Sequence, residues 1–219
     1  FAVFKSTDNS HSLEKLLESQ PLKKPYILKH MRSVINSVLE KGSISIGQIP
    51  ILHRAINDYL RHSDPAVVSK DMIELLKDHL VHILHTKEGS QIANYCILHA
   101  GPKDRKHIIK SFKGFVHSIA KEQYGNSVLI TLFECVDDTV LLSKSIISEL
   151  FKSPNALHTV GELLRDKYGS RVLLFITSGR NKRYQSAHIM DELESCDKIR
   201  KITTKKDDDI RSKQILEAV

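Results

Sequence analysis

Glu134, Asp137 and Asp138 place three carboxylates within five residues, and His79, His82 and His85 recur at every third position. Such carboxylates could share a proton for acid–base work, and such imidazoles could face one metal ion. Neither set is complete. The carboxylates fall where one helix gives way to the next, a place that calls for capping groups. The histidines come without a Cys or a Glu-x-x-His string, so no metal site is expected. No phosphate-binding glycine loop and no nucleophile elbow occurs. No catalytic residue and no cofactor is assigned, and the expectation is a binding protein rather than an enzyme.

The remaining chemistry is charge. Among the 219 residues, 33 Lys and Arg face 26 Asp and Glu, a formal net charge of +7. Such a surface suits phosphate-rich partners through counterion release. Cys96, Cys135 and Cys196 are odd in number and far apart, which argues against a disulfide framework or a zinc site. Cys96 and Cys135 sit among apolar neighbours and read as packing thiols. No run approaches the ~18 apolar residues of a membrane span, and no signal peptide is visible. The chain opens at Phe1 and stops within a helical pattern at Val219, so it reads as a piece of a longer protein.

Nine Gly and six Pro leave long uninterrupted stretches, which favours helices. Met72, Leu75, Leu76 and Leu80 follow helical spacing, as do Val128, Leu129, Leu132, Phe133 and Val136. Ser63-Asp64-Pro65, Gly101-Pro102 and Ser153-Pro154-Asn155 punctuate the helices, and Asp137-Asp138-Thr139 opens another. A short helix is expected over 184–195, a basic connector from Lys198 to Lys206, and a last helix opening at Asp207-Asp208-Asp209.

Three segments align on a glycine: Gly89-Ser90-Gln91-Ile92, Gly125-Asn126-Ser127-Val128 and Gly169-Ser170-Arg171-Val172. An apolar pair precedes each glycine by six and five positions: Ile83-Leu84, Ile119-Ala120 and Leu163-Leu164. The glycines are 36 and then 44 residues apart, as if about eight residues were inserted. The same 36-residue step back from Gly89 reaches His53, in a helical stretch without the glycine. A unit of this size cannot bury its apolar face alone, so neighbours must stack.

The strings Tyr124-Gly125-Asn126-Ser127-Val128 and Tyr168-Gly169-Ser170-Arg171-Val172 resemble the second-helix core of Pumilio-type (PUF) repeats. His85-Thr86-Lys87-Glu88-Gly89, Pro102-Lys103-Asp104-Arg105-Lys106, Ser111-Phe112-Lys113-Gly114 and Cys135-Val136-Asp137-Asp138-Thr139 resemble the divergent nucleolar branch called Puf-A. The likeness covers about residues 30–178, and Arg211 to Val219 resembles the entry to that branch's C-terminal domain. It implies an all-α fold, a right-handed α-solenoid of PUF-like helical repeats forming a curved superhelix. Residues 1–62 would hold degenerate repeats and 63–178 the three glycine-bearing repeats. Residues 179–219 would form a linker and the start of a C-terminal helical region.

In base-reading PUF proteins the middle helix of each repeat reads one base. The resemblance puts the reading positions at Ser90, Gln91 and Asn94, at Asn126, Ser127 and Ile130, and at Ser170, Arg171 and Leu174. The fifth position, usually Gln or Glu, is here Asn94, Ile130 and Leu174. Ile and Leu carry no donor or acceptor, and Asn reaches less far. Of the stacking residues Gln91, Ser127 and Arg171, only Arg171 can lie well on a base. Base readout is therefore expected to be largely absent, and affinity to come from phosphates. Candidate cations are Lys87, Lys103, Arg105, Lys106, Lys110, Lys113, Lys121, Arg165, Lys167, Arg171, Arg180, Lys182 and Arg183.

Simpler roles compete. The glycines could serve helix packing alone, Ser90, Asn126 and Ser170 could be helix caps, and Tyr124 and Tyr168 could pack between repeats. The Puf-A likeness implies a nucleolar or nuclear monomer that holds RNA, expected to be pre-rRNA of the large subunit, and DNA as well, in ribosome biogenesis alongside ribosome-assembly proteins. The alternative is a protein-docking scaffold within a pre-ribosomal or translational-regulation complex.

Overall fold

A computed structural model describes residues 13–41, 46–152 and 156–219. Phe1 and the Ser153-Pro154-Asn155 break lie outside the described residues. All regular elements among the described residues are helical. The entry comprises α1 (Leu13–Ser19), α2 (Lys24–Lys41) and α3 (Pro50–His62). The first glycine-bearing repeat holds α4 (Pro65–Leu76), α5 (Leu80–Ile83) and α6 (Lys87–His99). The second holds α7 (Pro102–Ser111), α8 (Val116–Lys121) and α9 (Gly125–Cys135). In the third, α10 (Thr139–Leu142) runs through a π-helical stretch (Ser143–Ile147) into α11 (Ser148–Phe151), followed by α12 (Ala156–Arg165) and α13 (Gly169–Ser178). The chain ends in α14 (Ala187–Thr203) and α15 (Asp208–Leu216).

The 44-residue step now has a location. α12 is ten residues long where its counterpart α8 has six, and the outer helix gains length through its π-helical stretch. The punctuation works as local chemistry demands. Asp64 accepts from the Ala66 N–H at 2.9 Å with Pro65 at the first turn, and Asp138 accepts from the Leu141 N–H at 2.9 Å. Asp207 caps α15 by accepting from Asp209 and Ile210. One expectation is corrected: the region read as a short helix and a basic connector is mostly one 17-residue helix, α14. Its second half is held by the buried Arg200, which a reading of charge alone takes for a solvated residue.

Each glycine sits at an elbow where the chain doubles back. A Cβ on Gly89 would lie 1.9 Å from the Ile83 carbonyl oxygen. On Gly125 it would lie 2.9 Å from Ile119 O, and on Gly169 2.8 Å from Leu163 Cδ2. The partner is the residue six positions earlier every time, so the glycines serve close helix packing. The first elbow is tied to the repeat before it. His53 Nε2–H donates to Ile46 O at 2.9 Å, and its Nδ1 accepts from the Thr86 hydroxyl at 2.8 Å. Thr86 Oγ1 accepts the Gly89 N–H at 3.0 Å. The glycine-less stretch around His53 thus forms α3 and stacks on α6 as a repeat helix.

α3, α6, α9 and α13 lie side by side, and one continuous apolar core runs beneath them from Ile35 to Ile215. Burial pushes the Cys96 and Cys135 thiols up to about 12, as befits packing residues. Arg105 of α7 is buried at the ends of three helices. Its guanidinium donates to Ile97 O (2.8 Å) and Leu98 O (3.0 Å) of α6, Cys135 O (2.9 Å) of α9 and Thr203 O (3.2 Å) of α14. Orphan carbonyls and the negative helix ends both favour a cation there. Asp137 holds the last helix, accepting from the backbone N–H of Lys205 and Lys206 and from the buried Arg211. Burial opposes ionisation of Asp137, yet the Lys205 N–H and Arg211 keep its carboxyl below its ordinary value.

Three outcomes follow from these contacts. Gly89→Ala should cost about 1–3 kcal/mol in denaturant titration, whereas Gly161→Ala inside α12, where a Cβ would meet only the end of the Arg165 side chain at 3.5 Å, should gain about 0.5–1 kcal/mol. Arg105→Met should strand several buried carbonyls, costing about 3 kcal/mol or more and lowering Tm by roughly 6–12 °C. Burial lowers the pKa values of His53 and His99 below 6.5, so the unfolded chain takes up those protons first on acidification. Stability contributed by these two groups should be complete above the ordinary imidazole pKa of 6.5 and be lost progressively as pH falls below it, and the fall should be shallower in His53→Gln when denaturation midpoints are compared.

Candidate nucleic-acid interface

The reading positions expected from the resemblance are mostly inaccessible. Ser90 is 1% exposed, Asn94 6%, Asn126 0% and Ser127 6%. Ser90 Oγ donates to Lys87 O at 2.8 Å, and Ser127 Oγ to Tyr124 O at 2.9 Å. Asn126 Nδ2 donates to Glu122 O and Gln123 O, both at 2.8 Å. Ser170 Oγ faces Lys167 O at 3.4 Å. These groups therefore close the first turn by donating backward to its carbonyls; they are not N-caps accepting N–H groups, and burial withdraws Ser90, Asn126 and Ser127 from a base. The caps of the first and third elbows are instead Thr86 and Asp166, which accept from the glycine N–H at 3.0 and 2.7 Å.

The cover is α14, which folds back onto α6 and α9. Its Glu192 lies in the field of Arg61, Lys87 and His188 and beside Ser127, and burial raises its pKa above the ordinary carboxylate value. Two expected phosphate cations are also withdrawn. Arg105 is spent on helix-end carbonyls. Arg180 forks between Glu134 and Asp197, with Nε to Glu134 Oε1 at 2.7 Å and an η-nitrogen to Asp197 Oδ2 at 2.8 Å. Glu134 and Asp137, which sequence alone read as capping groups, are thus the anchors of the C-terminal helices.

What stays open is a polar hollow of about 250 Å³ between α3 and α6. Arg54, Arg61 and Lys87 line it, with Asp58 and Glu88 as their counter-charges. Asn57 Nδ2 donates to Gln91 Oε1 at 2.8 Å across its floor, so Gln91 is committed to a neighbour. Arg54 and Arg61 were not singled out from the sequence because their stretch lacks the glycine. The signal was there: the 36-residue step that carries His53 onto Gly89 carries Arg54 onto Ser90.

A second cluster lies where α12 meets α13. Lys167 Nζ and the Arg171 guanidinium stand 5.3 and 5.6 Å from the Tyr168 ring centre, within cation–π range. Arg165, exposed at the end of α12, leans on Gly161 O at 3.4 Å. Lys121 is exposed but 3.9 Å from Glu162, which partly neutralises it. Lys103, Lys106, Lys110, Lys113, Lys182 and Arg183 are exposed as expected. The structure therefore joins Lys87 to Arg54 and Arg61 in one group, and Arg165, Lys167 and Arg171 in another.

The profile of the CPL (NUC119) domain matches residues 165–219, from the end of α12 through α15. Pumilio homolog 3 of Homo sapiens is 32% identical over 219 residues, covering 100% of this chain and 32% of its own length. Pumilio homology domain family member 6 of Saccharomyces cerevisiae is 35% identical over 207 residues, 94% of this chain and 30% of that protein. The chain thus spans about a third of the length of the relatives it matches. The crystal structure of human Puf-A superposes with a TM-score of 0.85 at 31% identity, covering 100% of this chain and 40% of that one. The human Puf-A structure in complex with DNA gives 0.84 at 31% identity, with 100% and 41% covered. The fold is accordingly a PUF-repeat α-solenoid, and the chain belongs to the divergent, Puf-A-like branch of the Pumilio-homology family.

Proposed function

We propose that this chain is part of a nucleic-acid-binding solenoid that grips RNA by its phosphates and shape, largely without reading sequence. The observation that carries this reading is a contrast. The positions that would read bases are buried at 0–6% exposure for Asn94, Asn126 and Ser127, while Arg54, Arg61, Lys87, Lys167 and Arg171 keep access to solvent. Human Puf-A, a relative of the same fold, has been crystallised with DNA, which supports binding through the backbone that RNA and DNA share. A docking scaffold would need apolar side chains exposed on the inner face, and the α3–α6 hollow presents cations instead. The biological role we assign is binding of large-subunit pre-rRNA during ribosome biogenesis in the nucleolus, beside ribosome-assembly proteins.

The test is a gel shift of the 219-residue chain on unrelated single-stranded RNAs across a salt series. With about four phosphate contacts, log K should fall against log salt with a slope of roughly −3, since each contact to a single strand contributes about −0.7. Affinities for the different RNAs should agree closely. The double variants Arg54→Ala with Arg61→Ala, and Lys167→Ala with Arg171→Ala, should each weaken all RNAs alike and flatten the slope by about 1–1.5. Affinity that hardly changes with salt would falsify the phosphate grip.

A further inference from the structure

A cleft of about 430 Å³ opens between α7 and α10, past the C-terminal ends of α6 and α9. Ala100, Ile109 and Val136 form its buried floor, and Pro102 and Leu141 keep apolar surface open to solvent at its edge. Val140 and Ile202, chain neighbours of the lining residues Leu141 and Thr203, are 62% and 85% exposed. Lys103, Lys106 and Lys205 line the same cleft and are exposed. The carboxylates nearby are already engaged. Asp137 holds the Lys205 and Lys206 N–H groups and Arg211, and Asp138 caps α10. Asp104, between the two α7 lysines, lies 3.7 Å from Lys77. Among the described residues, Lys103, Lys106 and Lys205 form no ion pair. Lys103, Lys106 and Lys110 follow one face of α7, where like charges at this spacing cost helix stability. A row of unpaired cations beside open apolar surface calls for a partner that supplies both missing halves.

We propose that this cleft docks an acidic segment of a partner protein. One apolar side chain of that segment sits on the Pro102–Leu141 edge, and flanking Asp or Glu side chains meet Lys103, Lys106 and Lys205. The volume falls within the roughly 300–1,000 Å³ of ligand pockets and holds one or two large side chains. A strand held by its phosphates fits less well, because it brings charge without an apolar group and leaves the apolar edge wet. The cleft is also separate from the phosphate-gripping hollow. Lys87 opens α6 and Ala100 follows its last residue, so 13 helical residues, about 20 Å, lie between the two. The solenoid thus holds RNA at one end of its inner helices and a protein at the other. This goes beyond the RNA grip proposed above and does not depend on it. Of the cations that sequence marks for phosphates, Lys103 and Lys106 pass to the protein partner.

The experiment selects binders to the 219-residue chain from a phage-displayed library of short random peptides. Enriched peptides should combine Asp or Glu with Leu, Ile or Phe, and serine in place of that apolar residue should weaken a selected peptide about tenfold or more. Lys103→Ala with Lys106→Ala should weaken it about five- to tenfold while moving Tm by about 2 °C at most, since both side chains are exposed. Arg54→Ala with Arg61→Ala should leave peptide affinity within about twofold, and an oligouridine should not displace the peptide. Enrichment of no acidic, apolar-bearing peptide, or peptide binding that survives the lysine changes, overturns the docking cleft. Displacement by oligouridine, or RNA affinity that falls as far as peptide affinity in the lysine variant, assigns these lysines to RNA and overturns it as well. Failure of the cleft leaves the phosphate grip standing, because the Arg54 and Arg61 variant tests that separately.

Discussion

The guanidinium of Arg105 holds together helix ends that would otherwise repel one another. α6, α9 and α14 bring the C-terminal carbonyls of Ile97, Leu98, Cys135 and Thr203 to one buried point. Oxygen lone pairs and negative dipole ends cannot gather there without a cation. Stacking of the repeats and docking of the C-terminal helix therefore depend on the same side chain. The charges further along extend the arrangement. Glu134 engages Arg180, Arg180 and Arg200 share Asp197, and Asp208 joins Arg200 to Arg211, which Asp137 ties back to the repeats. Partly buried ion pairs of this kind often contribute little net stability, but they can enforce one arrangement.

That arrangement decides what the repeats can do. With α14 fixed across α6 and α9, the first-turn side chains of those helices turn inward and satisfy their own carbonyls. A PUF scaffold is kept while most of its reading edge is closed. Exposed cations remain at the α3–α6 hollow and around Tyr168, where a polyanion can approach without contacting a base edge. The seven excess positive charges of the sequence are thus unevenly available, since Arg105, Arg180, Arg200 and Arg211 serve the interior.

Much of the fold was legible because its causes are local. The apolar pair, the six-residue step and the glycine together specify an elbow, since only a residue without a Cβ lets the helix start approach the carbonyl of Ile83, Ile119 or the Leu163 side chain. Asp64-Pro65, Asp138 and Asp207 mark helix starts through hydrogen bonds spanning two or three residues. The glycine-less repeat was visible in the 36-residue step, although its two arginines looked like ordinary surface charge.

The sequence by itself determined an all-helical repeat chain, basic in total, with a weakened base code at Ile130 and Leu174. It could not say which cations were free. Arg105 and Lys106 are neighbours with equal claims on a phosphate, yet one is buried among carbonyls and the other is exposed. Nor could it place Glu192 over the repeats, because the contact joins α14 to helices far earlier in the chain. Only tertiary packing decided these points. A charge acquires its role from the groups that surround it after folding, and those groups come from segments whose separation along the chain carries no local pattern.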